Sequence, residues 1–343
     1  MKAIIPKFKK ILLIRTDRIG DVILSLPLFS VLKNTYPDAQ LDFIVNKRIS
    51  ELIENYPNIN KVHSIENDSI KDIKLVCIQN KYDLAIAVHP TFKIALALYL
   101  ARVKYRLGTG YRWYSLFFNI RHYQHRKYSL KHELEYNIDL LNEIHCKRPD
   151  NMTISLTVVP EIMENVKKKL LVTGIPVDQR FIIIHPVTLG SAKVWSKQNF
   201  INLIDLIHKD GDCEFNIFLT GTKEDDSDLN YIISRLQEKS NVYIVQDLNL
   251  KELAGLIKMA ELFVSNSTGP IHIAAAVGTF AVGFYSTVLS ERASRWAPYT
   301  NKKKIFIPQE DTKYEDKMDS IGPDEVFSFI KSYMMKVNSK TGL

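Results

Sequence analysis

Cysteine is scarce in this 343-residue chain. Cys77, Cys146 and Cys213 are three in number and far apart, without metal-like spacing. An odd, dispersed set argues against a disulfide framework and a structural zinc site, and points to a reducing compartment. No run of 18 or more apolar residues occurs, so no transmembrane helix is expected. The start, MKAIIPKFKK, is basic and leads straight into a strand, without the apolar region and small-residue cleavage site of a signal peptide. Neither GxGxxG nor GxxxxGK[ST] occurs, which weighs against a redox dinucleotide fold and a P-loop kinase or ATPase. Low-complexity segments and short-period repeats are also missing.

One further absence is local. Between Leu84 and His132 there is no Asp or Glu, while Lys93, Arg102, Lys104, Arg106, Arg112, Arg121, Arg126, Lys127 and Lys131 all fall there. Tyr105, Tyr111, Trp113, Tyr114, Phe117, Phe118, Tyr123 and Tyr128 are interleaved. The net charge of +8 therefore belongs to the first half: residues 1–150 hold 24 Lys+Arg against 15 Asp+Glu, and the remainder 22 against 23. Such a surface suits phosphates, on nucleic acid or anionic lipid. Part of the aromatic content must also serve as core.

Of what is present, the hydrophobic share of 46% is enough for a sizeable core, and the length suggests about two domains. Short aliphatic runs at 11–15, 41–45, 83–88, 181–185, 215–220, 242–245, 262–265 and 281–285 read as strands. Helical spacing fills 28–35, 48–55, 132–144, 160–172, 197–209, 225–238 and 250–259, with a last helix at about 323–336. This alternation predicts an α/β fold of parallel sheets covered on both faces. The plan is weakly duplicated: strands at 11–15 and 181–185 each open a half and run into a polar loop. The boundary falls near 160–175, giving domains 1–165 and 166–343, with the last helix a candidate to pack back on the first domain. Ligands of such sheets bind at the carboxyl ends of the strands.

Four loops sit at such ends. In SNSTGPIHIAAAVG, 265–278, Ser267, Thr268 and Gly269 precede a helix starting near Pro270; the free amides and helix dipole form a candidate anion site. A well-capped helix without a ligand explains the same residues equally well. HPVTLGSAKVW, 185–195, offers Thr188, Ser191 and Lys193 to a phosphate, or else a surface lysine beside a buried Trp195. GTKEDD, 221–226, offers Glu224 or a neighbouring acid to ribose hydroxyls, although acids there also enrich a helix's first turn. The fourth, RTDRIGD, 15–21, sets Arg15, Arg18, Gly20 and Asp21 at the mouth of a βα unit. Gly20 would permit a tight turn. Asp21 is a candidate general base, or a capping or salt-bridge residue; nearby arginines would lower its pKa and desolvation would raise it.

Taken together, RTDRIGDVILSLPLFSVLKNTYPDAQLDFIV, RLGTGYR at 106–112, KHELEYNIDLL at 131–141, HP…K-V-W at 185–195, NSTGPIHIAAAVGT at 266–279 and RWAPY at 295–299 resemble glycosyltransferase family 9, the heptosyltransferases of lipopolysaccharide core assembly. The resemblance implies a GT-B fold: two Rossmann-like domains facing a cleft, the acceptor held by the first and a nucleotide-sugar donor by the second. It implies an inverting enzyme, without metal or cofactor, that moves heptose from ADP-L-glycero-β-D-manno-heptose to an inner-core acceptor. The family's base lands on Asp21, its phosphate-binding lysine on Lys193, and its donor loop on Thr268, Gly269 and His272. Asn266-Ser267-Thr268 stands where several heptosyltransferases carry an Asp before the Thr/Ser-Gly pair. On this reading Arg15, Arg18, Gly20, Arg106 and Arg112 face an anionic, lipid-linked oligosaccharide. Thr188, Ser191, Lys193, Glu224, Ser267 and the Thr268–Gly269 turn face the donor. The acid-free stretch meets the cytoplasmic face of the inner membrane. No nucleic acid is expected as a partner. The alternatives are a transferase using another nucleotide-sugar or a protein acceptor, a basic nucleic-acid-binding protein, and a non-catalytic sugar-nucleotide sensor.

Overall fold

The computed structural model describes residues 7–188, 190, 192–210, 215–309 and 317–341. The chain divides into two compact units, Met1–Thr157 and Val158–Leu343.

The first unit is built on β1 (Lys10–Ile14), β2 (Gln40–Asn46), β3 (Lys61–Ile65), β4 (Leu84–Ala87), β5 (Tyr105–Thr109) and β6 (Ile120–His122). Its helices are α1 (Ile19–Ile23), α2 (Pro27–Thr35), α3 (Lys47–Ile53), α4 (Ile70–Asn80), α5 (Phe92–Leu100) and α6 (Glu133–Leu140). All strand pairs are parallel, in the order β3-β2-β1-β4-β5-β6. Ile11–Ile14 are buried, as a central parallel strand covered on both faces requires. The core joins Leu12, Ile14 and Ile44 to Ile73, Ile94, Leu98 and Phe118.

The second unit repeats the plan with β7 (Phe181–His185), β8 (Asn216–Thr220), β9 (Val242–Val245), β10 (Leu262–Asn266), β11 (Phe280–Phe284) and β12 (Lys303–Phe306). Its helices are α7 (Pro160–Val172), α8 (Lys197–Lys209), α9 (Asp226–Arg235), α10 (Leu250–Met259), α11 (Gly269–Val277), α12 (Ala293–Trp296) and α13 (Pro323–Thr341). The order is β12-β11-β10-β7-β8-β9, again all parallel. Counted from each unit's first strand, the two orders are the same, 3-2-1-4-5-6, the doubly wound Rossmann arrangement. In each, the winding reverses between the first and fourth strands, β1/β4 and β7/β10, so a crevice opens beyond their carboxyl ends.

The aliphatic-run criterion finds the central strands and passes over β3, β5, β6 and β12. Three of these, β3, β6 and β12, are sheet edges, which need no second buried face and carry charge or polarity as KVHSI, IRH and KKIF. β5 is interior, but its Gly108 lies under the Phe118 ring, which fills the place a side chain would take; a Cβ there would stand 2.6 Å from it. Helices α4 and α5 were likewise unforeseen. α5 places Ile94, Ala95, Ala97 and Leu98 of the acid-free stretch in the core.

The division falls ahead of α7 rather than inside it. Val166 and Leu170 are buried, and Ile162 packs against Gly255 of α10, so α7 belongs to the second unit. α13 runs beyond the predicted span. Its buried Val326, Ile330 and Met334 join the second unit's core beside α8, and Lys331 Nζ binds Asp210 at 2.7 Å. No helix among the described residues is long and apolar enough to cross a membrane.

Candidate functional site

In the first unit the chemistry gathers where β1 ends. Arg15, the residue after the strand, is 1% exposed, so its guanidinium must find anions inside the protein. It donates from Nε to Asp17 Oδ1 at 2.7 Å, from Nη2 to Asp21 Oδ1, and from Nη1 to Asn137 Oδ1 at 3.3 Å, with Glu133 Oε1 at 3.6 Å. Burial opposes its charge, but Asp17, Asp21 and Glu133 outweigh that effect and hold it protonated. Asp21 lies in the first turn of α1 and is 8% exposed. Its Oδ1 is taken by Arg15; among the described residues nothing hydrogen-bonds its Oδ2.

Burial is the largest influence on the Asp21 carboxyl, and it pushes the group up to about 7. Arg15 pulls the other way, Asp17 and Glu133 add repulsion, and Arg18 lowers it again. The opposing influences expected at this residue thus resolve in favour of desolvation, giving a carboxylate that exchanges a proton near neutrality.

α6 completes the cluster with two residues that sequence inspection passed over. Glu133 and Asn137, one turn apart, are 1% and 0% exposed. Asn137 Oδ1 accepts from Arg15 and from Arg126 Nη1 (3.0 Å), while its Nδ2 donates to the Leu24 carbonyl and Ser25 Oγ at 3.2 Å. Ser25 in turn donates to the Asp21 carbonyl at 2.8 Å. Arg126 also binds Glu133. The available signal was an arginine directly after four buried aliphatics, which demands carboxylates; of the three in KHELEYNIDLL, Glu133 reaches it. His89, just past β4, sets Nδ1 3.7 Å from Asp17 Oδ2, and burial holds its pKa below the ordinary value. β1 and β4 thus both deliver polar groups to the switch point.

The other first-unit predictions separate. Arg18 is exposed at the N-cap of α1, beside the cluster. Gly20 makes no left-handed turn: among described glycines only Gly174, Gly190 and Gly278 have positive φ, and Gly20 is buried within α1. Arg112 is exposed past the carboxyl end of β5. Arg106 is not brought to the site. It lies near the amino end of β5, and its guanidinium donates to the carbonyls of Phe117 (2.7 Å) and Val103 (2.5 Å), which makes it a clamp on the chain's own backbone.

In the second unit the loops after β7 and β10 are tied together by Asn266. This 0%-exposed amide accepts from the Trp195 N–H at 2.7 Å and donates to the Pro186 carbonyl at 3.1 Å. The Trp195 indole donates to the Ile321 carbonyl at 2.8 Å. A carboxylate at 266 could not donate to Pro186, so the amide there has a structural reason. Thr268 is the N-cap of α11 and makes no side-chain capping bond, which leaves the first-turn amides of α11 without that partner. Pro270 follows in the first turn, Gly269 opens the helix, and His272 is buried one turn in. Ser267 bonds the buried Tyr285, whose hydroxyl reaches the Trp296 carbonyl at 3.2 Å.

Thr188 Oγ1 accepts from the Gly190 N–H at 3.0 Å, and Lys193 is fixed through its main-chain N–H to Glu291 Oε2 at 3.0 Å while its side chain is exposed. Ser191 lies outside the described residues. Glu224 is exposed in a 3-10 turn after β8, where Asp225 accepts from Thr222 Oγ1 and N at 2.7 and 2.8 Å. His185 bonds Thr220 at 2.9 Å, and burial lowers its pKa to about 4, so it stands neutral.

Two doubly wound sheets in one chain, each in the Rossmann order, are the arrangement of the GT-B fold. Solved structures share the fold: the glycosyl transferase family 9 protein from Veillonella parvula (TM-score 0.84, 16% identity, 97% of this chain and 99% of that one) and Escherichia coli ADP-heptose lps heptosyltransferase II (TM-score 0.82, 19% identity, 96% and 99%). The family is fixed by sequence: the model of glycosyltransferase family 9 (heptosyltransferase) matches residues 75–323, and the chain belongs to that family. Among relatives, it is 28% identical to a putative glycosyltransferase of Haemophilus influenzae over 95% of this chain and 97% of that protein. It is 26% identical to lipopolysaccharide heptosyltransferase 3 of Escherichia coli K12, over 82% and 83%.

Proposed function

We propose that this glycosyltransferase moves a heptose, with inversion and without a metal ion, from ADP-L-glycero-β-D-manno-heptose to the inner core of lipopolysaccharide. The observation that carries the reading is Asp21: one oxygen is fixed by a buried arginine, the other is unbonded among the described residues, and its proton affinity is near neutral. Inversion needs one base behind the acceptor hydroxyl and help for the departing diphosphate. Asp21 takes the hydroxyl proton as the acceptor oxygen bonds to the anomeric carbon and the bond to the diphosphate breaks. The three acids that converge at the end of β1 converge on Arg15, so the cation at their centre is a guanidinium. Charge growing on the leaving diphosphate is met by Lys193, Thr188 and the first-turn amides of α11. On this reading the exposed Arg18 and Arg112 receive acidic groups of the acceptor.

The relatives' names support heptose and lipopolysaccharide as donor sugar and acceptor. The acid-free stretch supports work at the cytoplasmic face of the inner membrane. Beside its core residues it exposes Tyr99 (51%), Leu100 (45%), Trp113 (70%) and Leu116 (61%), next to lysines and arginines that each gain about 1 kcal/mol near anionic headgroups.

A panel of ADP-, UDP- and GDP-sugars in a thermal-shift assay tests the donor, with ADP-heptose expected to stabilise most. In the same assay Asp21→Ala retains donor stabilisation while transfer to purified core acceptor is lost. Undiminished turnover by Asp21→Ala refutes the mechanism.

A further inference from the structure

We propose that Glu133 is a positioning residue for transfer: it divides the Arg15 guanidinium with Asp17 and Asp21 and anchors Arg126, so that Asp21 is held in place without being fully neutralised. The inference rests on Asp21 being the base. A buried arginine facing a single carboxylate would form a closed pair, and the carboxylate would be a poor proton acceptor. Here Arg15 is shared. Asp17 takes Nε at 2.7 Å, Asp21 takes Nη2, and Glu133 stands 3.6 Å from Nη1. Glu133 is itself 1% exposed and could not reach a substrate, so it acts through Arg15. Its second partner, Arg126, has a side chain 24% exposed and limits how much of the Glu133 charge Arg15 receives. Asn137 sits between the two arginines and contributes no charge.

The charged groups facing Asp21 are therefore Arg15, Asp17 and Arg18 from the loop after β1 and Glu133 from α6. Arg126 reaches it through Glu133, and His89, after β4, through Asp17. Removing an anion from this set makes Asp21 lose its proton more easily; removing a cation does the reverse.

The test is the pH dependence of kcat for the full chain at saturating donor, in wild type, Glu133→Gln and Arg126→Met. The acidic limb, where Asp21 must give up its proton before it can accept another, moves down by about one pH unit in Glu133→Gln and moves up in Arg126→Met. Glu133→Asp, which keeps the charge, restores the limb to within a few tenths of a unit. Donor KM stays within about twofold in Glu133→Gln, because the donor loops belong to the other unit. If Glu133→Gln does not fold, the Arg126→Met shift decides alone, since that side chain is at the margin of the cluster. Unmoved limbs, or shifts in the same direction for both variants, overturn the inference. The two readings fail differently. If Asp21→Asn keeps wild-type turnover, the base assignment falls; if Asp21→Asn is inactive and the limbs do not move, only the role of Glu133 falls.

Discussion

Replacing Arg15 by Met tests whether the first unit is organised around that residue. The substitution keeps an unbranched stem but removes the buried guanidinium that touches Asp17, Asp21 and Glu133. Two of those acids, Asp21 and Glu133, are buried at 8% and 1% exposure; Asp21 loses the cation that offsets its desolvation, and Glu133 keeps Arg126. Breaking a buried ion pair by removing one partner costs about 3–5 kcal/mol. That is a large share of the roughly 5–15 kcal/mol that holds a domain folded. The readout is native-state hydrogen exchange of the β1 amides, which pair with β2 and β4 and open only when the sheet does. At about 1.4 kcal/mol per tenfold, exchange at pH 7.5 should accelerate by roughly two to three and a half orders of magnitude. The β7 amides serve as the internal reference. The pH dependence has a definite sign. Without Arg15 the Asp21 carboxyl, already raised by burial, holds its proton to still higher pH when folded than when unfolded, so protonation favours the folded state and the penalty shrinks as pH falls from 7.5 to 5.5. A β1 acceleration below tenfold, or a penalty that grows on acidification, would refute this account.

Wild-type kcat should rise with pH through about 7, because burial keeps the Asp21 carboxyl protonated below that value and a protonated acid cannot act as base; a stopped assay from pH 5 to 8.5 reads the limb. Asn266→Asp should lower the melting temperature of the second unit, since it removes the donor to the Pro186 carbonyl inside the protein, at a cost of about 1–3 kcal/mol followed by calorimetry. Lys193→Ala should weaken donor binding and slow transfer while leaving stability unchanged, because the loop is fixed by the Lys193 main-chain N–H and not by its side chain; calorimetric titration with ADP-sugar against a melting curve separates the two. Trp113→Asp with Leu116→Asp should reduce co-sedimentation with anionic vesicles and leave turnover of a soluble acceptor intact, which distinguishes surface attachment from chemistry.

The central architecture was legible because parallel strands covered on both faces must be apolar throughout: Ile11–Ile14, Phe181–Ile184 and Leu262–Val264 announce themselves. Three of the four edges were not, since β3, β6 and β12 pack one face or less and carry Lys, His and Arg, whereas the edge strand β9 reads as VYIV. Of the site, Arg15, Asp21 and the Thr268–Gly269 helix start could be found locally, because strand ends and helix starts have local signatures. Glu133 and Asn137 could not. Their role comes from a guanidinium more than a hundred residues earlier in the chain, and on a helix that also carries Glu135 and Asp139 nothing local marks which polar residues have a buried cation opposite. Arg106 shows the reverse case: a basic residue within a recognisable motif, RLGTGYR, reads as a substrate contact, yet its guanidinium completes the hydrogen bonding of its own loop.

The same strand order carries opposite electrical temperaments in the two halves. At the ends of β7 and β10 the embedded polar groups are an uncharged imidazole, His185, and an amide, Asn266, neither of which changes charge between pH 5 and 8. At the end of β1 an acid sits in the middle of that interval. Under the proposed mechanism, acidification from pH 8 to 6 would leave His185 and Asn266 as they are while protonating Asp21, so that donor binding and bond formation part company.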